Sequence, residues 1–330
     1  MPASKQQRLF ITGASGFVGS RVTEFAIREG YTVHGLCRTD AKVAQLRALG
    51  AVPVKADMSA LDILRSEASQ ADIVVHLADA WIDDFSQPYD DVVRIDGAAV
   101  DAMAEGLAQS KSTRKLFLGT SGVGVARPDP DGGETDEDAS PDSSPINGRI
   151  RCENHVLSKA GFGGIKVCVL RLSPFVYGHG GSGVALFMGI FAKLGAVVRI
   201  GDGRTQSSVV HVDDAARAYV LALERACVQP GKERVVYNIA ATTEVSFRDF
   251  TDAMADVLGL PVREMDVAEA AKFAGPLTAG FFSARIRGKG DRAKAELGWK
   301  PYETGLIEDI RKGSYLQVAK ELVAASGKQA

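Results

Sequence analysis

The chain has 330 residues, 45% of them hydrophobic and 24% charged, the ordinary balance of a protein that buries a core. Its formal net charge of −2 offers no attraction to a polyanion, which argues against a nucleic-acid partner. The polar N-terminus lacks the pattern of a signal peptide and no apolar run is long enough to span a bilayer, so a cytoplasmic protein without membrane contact is expected.

Along the first half, short apolar runs at 9–12, 31–37, 52–55, 73–77, 115–119 and 166–172 read as strands. Between them apolar residues fall at helical spacing, as at Val18, Val22, Phe25 and Ala26. Strand and helix in alternation predict an α/β fold, a Rossmann-type doubly wound parallel sheet with right-handed crossovers. The first strand runs into Thr12-Gly13-Ala14-Ser15-Gly16-Phe17-Val18-Gly19. Gly13 suits a tight turn, Gly16 lets the backbone approach a pyrophosphate, and Gly19 allows close packing of helix on strand. The N–H groups opening that helix would hold the phosphates.

The second strand ends His34-Gly35-Leu36-Cys37-Arg38-Thr39. An NAD site usually carries an acid there to bind the ribose hydroxyls. Arg38 would instead favour the extra phosphate of NADP(H), with Thr39 adding a hydroxyl. The four cysteines, Cys37, Cys152, Cys168 and Cys227, have no C-x-x-C spacing, so neither a disulfide framework nor a zinc knuckle is expected.

Residues 127–145, rich in Asp, Glu, Pro, Gly and Ser, read as a long exposed loop rather than a metal site. Beyond residue 173 the alternation lapses, with helices expected at 184–194, 247–258 and 264–273. This predicts a dinucleotide-binding domain of residues 1–172, to which 208–240 return. Residues 173–207 and 241–330 would form a smaller substrate-binding domain.

Taken in order, the motifs resemble the extended short-chain dehydrogenase/reductase superfamily in its NAD-dependent epimerase/dehydratase branch. They are TGASGFVG, Lys55-Ala56-Asp57-Met58, Val75-His76-Leu77-Ala78, Leu118-Gly119-Thr120-Ser121, the run from Leu170 to Gly178, His211-Val212-Asp213-Asp214-Ala215-Ala216 and Glu296-Leu297-Gly298-Trp299-Lys300-Pro301. The resemblance implies cofactor contacts from Gly13, Ser15, Gly16, Phe17, Val18, Gly19, Asp57, Met58, Leu77, Ala78, Thr120, Pro174, Phe175 and Val176. It also implies Ser121 as the residue that holds a substrate carbonyl, and a homodimer through helices near 89–109 and 148–160.

The family's catalytic tyrosine, with a lysine four residues on, has no counterpart. No tyrosine occurs between Tyr89 and Tyr177. One register sets Asn147 in the tyrosine's place and Arg151 in the lysine's, with Arg151 reaching ribose or phosphate; a second register gives Pro145 and Arg149. Neither supplies a titrating donor, since amides do not ionise and arginine stays protonated. This loss resembles the atypical branches of the superfamily. Tyr177 and Asp79 are the candidate substitutes, Asp79 as a base if burial raises its pKa.

Trp81, Phe187, Phe191 and Phe281 supply apolar bulk where the resemblance places the substrate cleft. Ser207 stands where sugar-nucleotide members carry a diphosphate-clamping arginine. The leading expectation is an NADP(H)-dependent reductase or dehydrogenase of a small, largely apolar carbonyl or alcohol. An epimerase, dehydratase or other lyase or isomerase is a second reading, and a non-catalytic NADP(H)-sensing protein a third.

Overall fold

The computed structural model describes residues 7–83, 87–145, 147–227 and 231–326. Its first part runs β1 (Arg8–Thr12), α1 (Phe17–Arg28), β2 (Thr32–Cys37), α2 (Asp40–Ala48), β3 (Val52–Lys55), α3 (Leu61–Ser69), β4 (Ile73–His76), α4 (Tyr89–Gln109), β5 (Leu116–Gly122), α5 (Arg149–Leu157) and β6 (Lys166–Leu172). Then follow β7 (Phe175–Tyr177), α6 (Ser182–Leu194), β8 (Val197–Ile200), β9 (Gln206–His211), α7 (Val212–Arg225), β10 (Arg234–Ile239), β11 (Thr242–Ser246) and α8 (Phe247–Leu258). The last elements are β12 (Val262–Met265), α9 (Val267–Ala274), α10 (Pro276–Ser283), α11 (Asp291–Leu297), α12 (Leu306–Lys312) and α13 (Tyr315–Ser326).

Seven strands form the main sheet in the order β3-β2-β1-β4-β5-β6-β10, and every pair is parallel. The chain reverses its direction of growth between β1 and β4, which opens a crevice at the carboxyl ends of those strands. Because side chains alternate along a strand, each apolar run feeds both faces. Leu9, Ile11, Ile73, Val75, Leu116 and Leu118 share one core with α1 and α7, while Phe10, Val74 and Phe117 pack against α3 and α4 on the other face. The expected doubly wound sheet is present.

A third core lies outside the main sheet. Phe175 stands at its centre, its ring 4.9 Å from that of Phe250 and 6.1 Å from that of Phe282, with Phe187, Phe191 and Phe247 around them. It carries two small sheets, β11-β9-β7 and β12-β8. The helix expected over 264–273 begins later: residues 262–265 are β12, and Asp266 with Glu269 forms a capping box that starts α9.

Two boundaries differ from expectation. Ala293, Leu297 and Trp299 belong to the first core, where α11 packs on α7 and β10, so this segment completes the nucleotide domain rather than the smaller one. The acidic stretch 127–145 is also not wholly a solvated loop. Thr135 N donates to Arg287 O at 3.0 Å, Lys289 N donates to Thr135 O at 2.8 Å, and buried Glu137 accepts from Asn238 N at 2.8 Å. Backbone pairing and a buried carboxylate pin it across the ends of the sheet. No helix among the described residues is long and apolar enough to cross a membrane.

Candidate functional site

The turn between β1 and α1 is built to hold an anion against bare backbone. Gly13 has φ of +68°, and a Cβ there would lie 2.8 Å from Ala78 N. A Cβ on Gly19 would fall 2.0 Å from Gly13 O. No side chain caps α1, so its opening N–H groups are available to a ligand. Phe17 packs beside the loop after β7, since a Cβ on Gly181 would come within 2.7 Å of its ring. These features fit a dinucleotide diphosphate.

One consequence is measurable. Gly19→Ala is expected to destabilise the fold by about 2 kcal/mol or more, because backbone rather than a flexible side chain must yield. It should also abolish nucleotide binding. Gly189→Ala, on α6 with open space around it, should be neutral or gain up to about 1 kcal/mol. Thermal melts with and without nucleotide check both.

At the close of β2, Arg38, Thr39 and Asp40 are exposed. Thr39 caps α2 through Lys42 N at 3.4 Å, and the Lys42 ammonium donates to Ser15 O at 3.2 Å and to Gln45 Oε1 at 2.9 Å. Sequence reasoning overlooked Lys42, whose side chain reaches back across the crevice to the glycine loop. Asp57 accepts from Ser59 N at 2.8 Å and Ser59 Oγ at 2.6 Å; these bonds, with Arg38 as a weaker aid, hold its carboxyl below the usual range. Met58 is half-buried behind it. Leu77 and Ala78 donate their N–H groups to Thr12 Oγ1, each at 3.2 Å.

That hydroxyl heads a buried chain. Thr12 Oγ1 meets His76 Nδ1 at 2.7 Å, and His76 Nε2 meets Asp96 Oδ1 at 3.1 Å, so His76 is structurally satisfied. Burial works against ionising Asp96, yet its bonds to His76 prevail and lower its pKa.

Around the carboxyl ends of β4 and β5 the geometry departs from the first register. Arg151 points outward and pairs with exposed Asp90 at 2.6 Å, its side chain 49% exposed. Asn147 turns its Oδ1 to Arg149 N at 3.0 Å. Arg149 reaches inward instead, donating to Thr120 O at 2.7 Å and to Asp79 Oδ2 at 3.0 Å. Of the two candidate arginines, Arg149 is the one directed to the carboxyl ends of β4 and β5. Asp79 also accepts from Trp81 N at 2.9 Å, so it anchors Arg149 and is not a lone base.

Thr120 Oγ1 bonds the Tyr219 hydroxyl at 2.7 Å on the α7 side. Ser121 faces the other way. A Cβ on Gly119, two residues earlier, would meet Val156 of α5 at 2.8 Å, and alternation gives Ser121 that same face. Among the described residues, buried Ser121 Oγ has no hydrogen-bond partner, and the buried Tyr89 hydroxyl makes no bond of ordinary geometry, with the Arg149 guanidinium beside it. A buried unpaired hydroxyl costs about 1–3 kcal/mol. Burial pushes the Tyr89 phenol up to about 12, opposed by the Arg149 charge.

Other expected residues lie elsewhere. Tyr177 is buried and its hydroxyl donates to Thr304 O at 2.8 Å, which removes it as a proton donor. Phe175, Phe187 and Phe191 fill the aromatic core, at 3%, 2% and 0% exposure, so their side chains line no cleft. Pro174 and Val176 flank Phe175 half-buried and can meet a cofactor where its ring cannot. Trp81 and Phe281 remain partly exposed, Trp81 with its ring edge-on to Tyr89 at 5.9 Å. Away from this site His211, Asp213 and Glu303 offer ligand atoms within 4.8 Å of one another. Arg21 holds Asp213 at 2.5 Å and Arg217 holds Glu303 at 2.8 Å, so these acids are already neutralised by guanidinium groups.

Comparison with known proteins agrees with this architecture. Residues 9–240 match the model of the NAD dependent epimerase/dehydratase family. An uncharacterized protein of Saccharomyces cerevisiae is 32% identical over 307 residues, covering 92% of this chain and 98% of its own. A sterol-4-alpha-carboxylate 3-dehydrogenase (decarboxylating) of Dictyostelium discoideum is 26% identical over 255 residues, 74% of each chain. Among solved structures, the UDP-glucuronic acid 4-epimerase of Bacillus cereus in complex with UDP-glucuronic acid and NAD superposes with a TM-score of 0.72. It shares 19% identity over 96% of this chain and 99% of its own. With a glycine-lined diphosphate seat at the switch point of a seven-stranded parallel sheet, the chain belongs to the NAD dependent epimerase/dehydratase family.

Proposed function

We propose that the protein is an NADP(H)-dependent reductase or dehydrogenase acting on a small, largely apolar carbonyl compound or alcohol. The observation that carries this reading is the pair of cations, Arg38 and Lys42, at the ribose end of the crevice where NAD-selective sites place an acid. A 2′-phosphate between them is matched in charge, and Arg38 can grip it through two N–H donors.

At the other end, the bound nicotinamide accepts or supplies a hydride, and the chain's own groups manage the substrate oxygen. Ser121 would donate to that oxygen, having no competing partner among the described residues. Arg149, fixed by Asp79 and the Thr120 carbonyl, would supply the positive charge that the family's lysine provides. Trp81 and Phe281 would bound an apolar pocket.

Sugar nucleotides suit this chain less well. Ser207, at the position of the diphosphate-clamping arginine, is buried, and Arg204 is exposed and paired with Asp202 at 3.2 Å. The Dictyostelium discoideum relative is, by its name, a dehydrogenase of a sterol-4-alpha-carboxylate, in keeping with the redox reading. A homodimer through α4 and α5 belongs to the same proposal.

The test is NADPH oxidation across a panel of aldehydes and ketones. Turnover should exceed that with NADH, and Ser121→Ala should lower kcat/KM at least tenfold, about 1.4 kcal/mol, with NADPH affinity unchanged. Solvent isotope entering the product without net NADPH consumption would instead identify an epimerase or dehydratase.

A further inference from the structure

We propose that Tyr89, at the start of α4, gives the proton that the missing α5 tyrosine would have given. The inference rests on the reductase reading above and names the acid that reading lacks.

Tyr89 is brought to the reactive end by packing that the α5 sequence permits. Its ring lies against Gly148, where a Cβ would stand 2.7 Å from Tyr89 Cδ1 and 2.7 Å from an Arg151 nitrogen. Any larger residue there would displace the ring. Gly148 immediately precedes Arg149, so the phenol enters beside the first turn of α5, the turn next to which the second register sets the absent tyrosine. Trp81 lies edge-on to the ring at 5.9 Å.

Two hydroxyls then come into the neighbourhood of one cation. Tyr89 Oη lies within the field of Arg149 and Asp79, and Ser121 follows Thr120, whose carbonyl Arg149 holds. Among the described residues neither hydroxyl makes a hydrogen bond of ordinary geometry, the Arg149 guanidinium lying beside the Tyr89 phenol, and Ser121 points to the face on which α4 and α5 pack. A substrate oxygen placed between them would accept a hydrogen bond from each. Asp79 and Tyr177 have their polar oxygens committed elsewhere, and the Asn147 amide carries no ionisable proton.

The balance is that of an ordinary carbonyl reduction. As hydride from NADPH bonds to the carbonyl carbon, the π pair moves to oxygen, and that oxygen takes the Tyr89 proton. The tyrosinate left behind is neutralised by Arg149, which stays protonated throughout, and water returns the proton. Ser121 holds the oxygen and keeps its own proton.

The experiment is an ultraviolet tyrosinate titration of wild type minus Tyr89→Phe, with and without NADP⁺. A cationic nicotinamide ring beside the phenol should lower its pKa by about 1–3 units. With any carbonyl compound turned over, Tyr89→Phe should cut kcat at least 100-fold while the NADPH dissociation constant stays within twofold. NADP⁺ binding without a shift, or a folded Tyr89→Phe that keeps its kcat, overturns the assignment and leaves the cofactor reading intact. Failure of wild type to bind NADP⁺ overturns both. If the phenylalanine variant does not fold, a ring-fluorinated tyrosine at the same position, followed by fluorine NMR, reads the same shift.

Discussion

Arg38→Asp should weaken NADPH binding by about 30- to 1,000-fold and bring NADH to parity or better. Hydrogen bonds to a charged group contribute about 1.5–3 kcal/mol, and a carboxylate facing the 2′-phosphate adds repulsion. A total loss of about 2–4 kcal/mol corresponds to that range of affinity at 1.4 kcal/mol per decade. Arg38 is exposed, so screening by water and salt pulls the effect toward the lower end, and the remaining Lys42 ammonium does the same. Lys42→Ala alone should cost less, since an ammonium acts as a point charge without the forked geometry of a guanidinium. The new aspartate can accept from the ribose hydroxyls, which is why NADH should gain. Calorimetric titration of both nucleotides, at low and at physiological salt, measures the ratio. Wild-type protein that binds NADH as tightly as NADPH would end the case for a phosphate pocket.

The second large effect is on stability. Arg171 and Glu153 form a buried pair, 8% and 1% exposed, with guanidinium Nε 3.1 and 3.0 Å from the two carboxylate oxygens and Nη2 2.6 Å from one. Arg171 sits beside Ser121 in the β5–β6 register, so this pair fastens α5 to the sheet next to the reactive end. Removing one partner leaves an uncompensated buried charge, and Arg171→Met or Glu153→Leu should each cost about 3–5 kcal/mol. The double variant Arg171→Met/Glu153→Leu should recover most of that, because two apolar groups leave no charge to desolvate. Urea unfolding of the four proteins forms the cycle, with the coupling as its readout. Losses in the singles that simply add in the double would show that the two groups do not act as a pair. The singles should also lower turnover, since α5 carries Arg149.

Parts of this molecule that depend on near neighbours in the chain were readable as text. The strands of the main sheet appear as apolar runs because residues covered on both faces must be apolar throughout. The glycine seat appears as a motif because its turn, its backbone approach and its helix contact all lie within eight residues. Arg38 follows directly from its place at the end of β2. What escaped depends on partners far away in sequence. Arg149 and Arg151 are equal candidates as strings; their surroundings separate only when Asp79 and Thr120, 70 and 29 residues from Arg149, turn out to hold its guanidinium while Arg151 pairs with exposed Asp90.

The aromatic residues show the same division. Phe175, Phe187 and Phe191 have the chemistry of a cleft, and nothing local distinguishes a cleft from a core. Their burial follows from Phe250 and Phe282, which arrive on α8 and α10. Tyr89, fifty-nine residues before Gly148, meets it only because α4 and α5 pack on one face of the sheet. Order along the chain was enough to establish the sheet, the nucleotide seat and the family, since each is written in short periodic or contiguous patterns. Which side chains face the reacting atoms was set by the packing of distant elements, because a hydroxyl or a guanidinium acquires its role from the neighbours that folding brings to it.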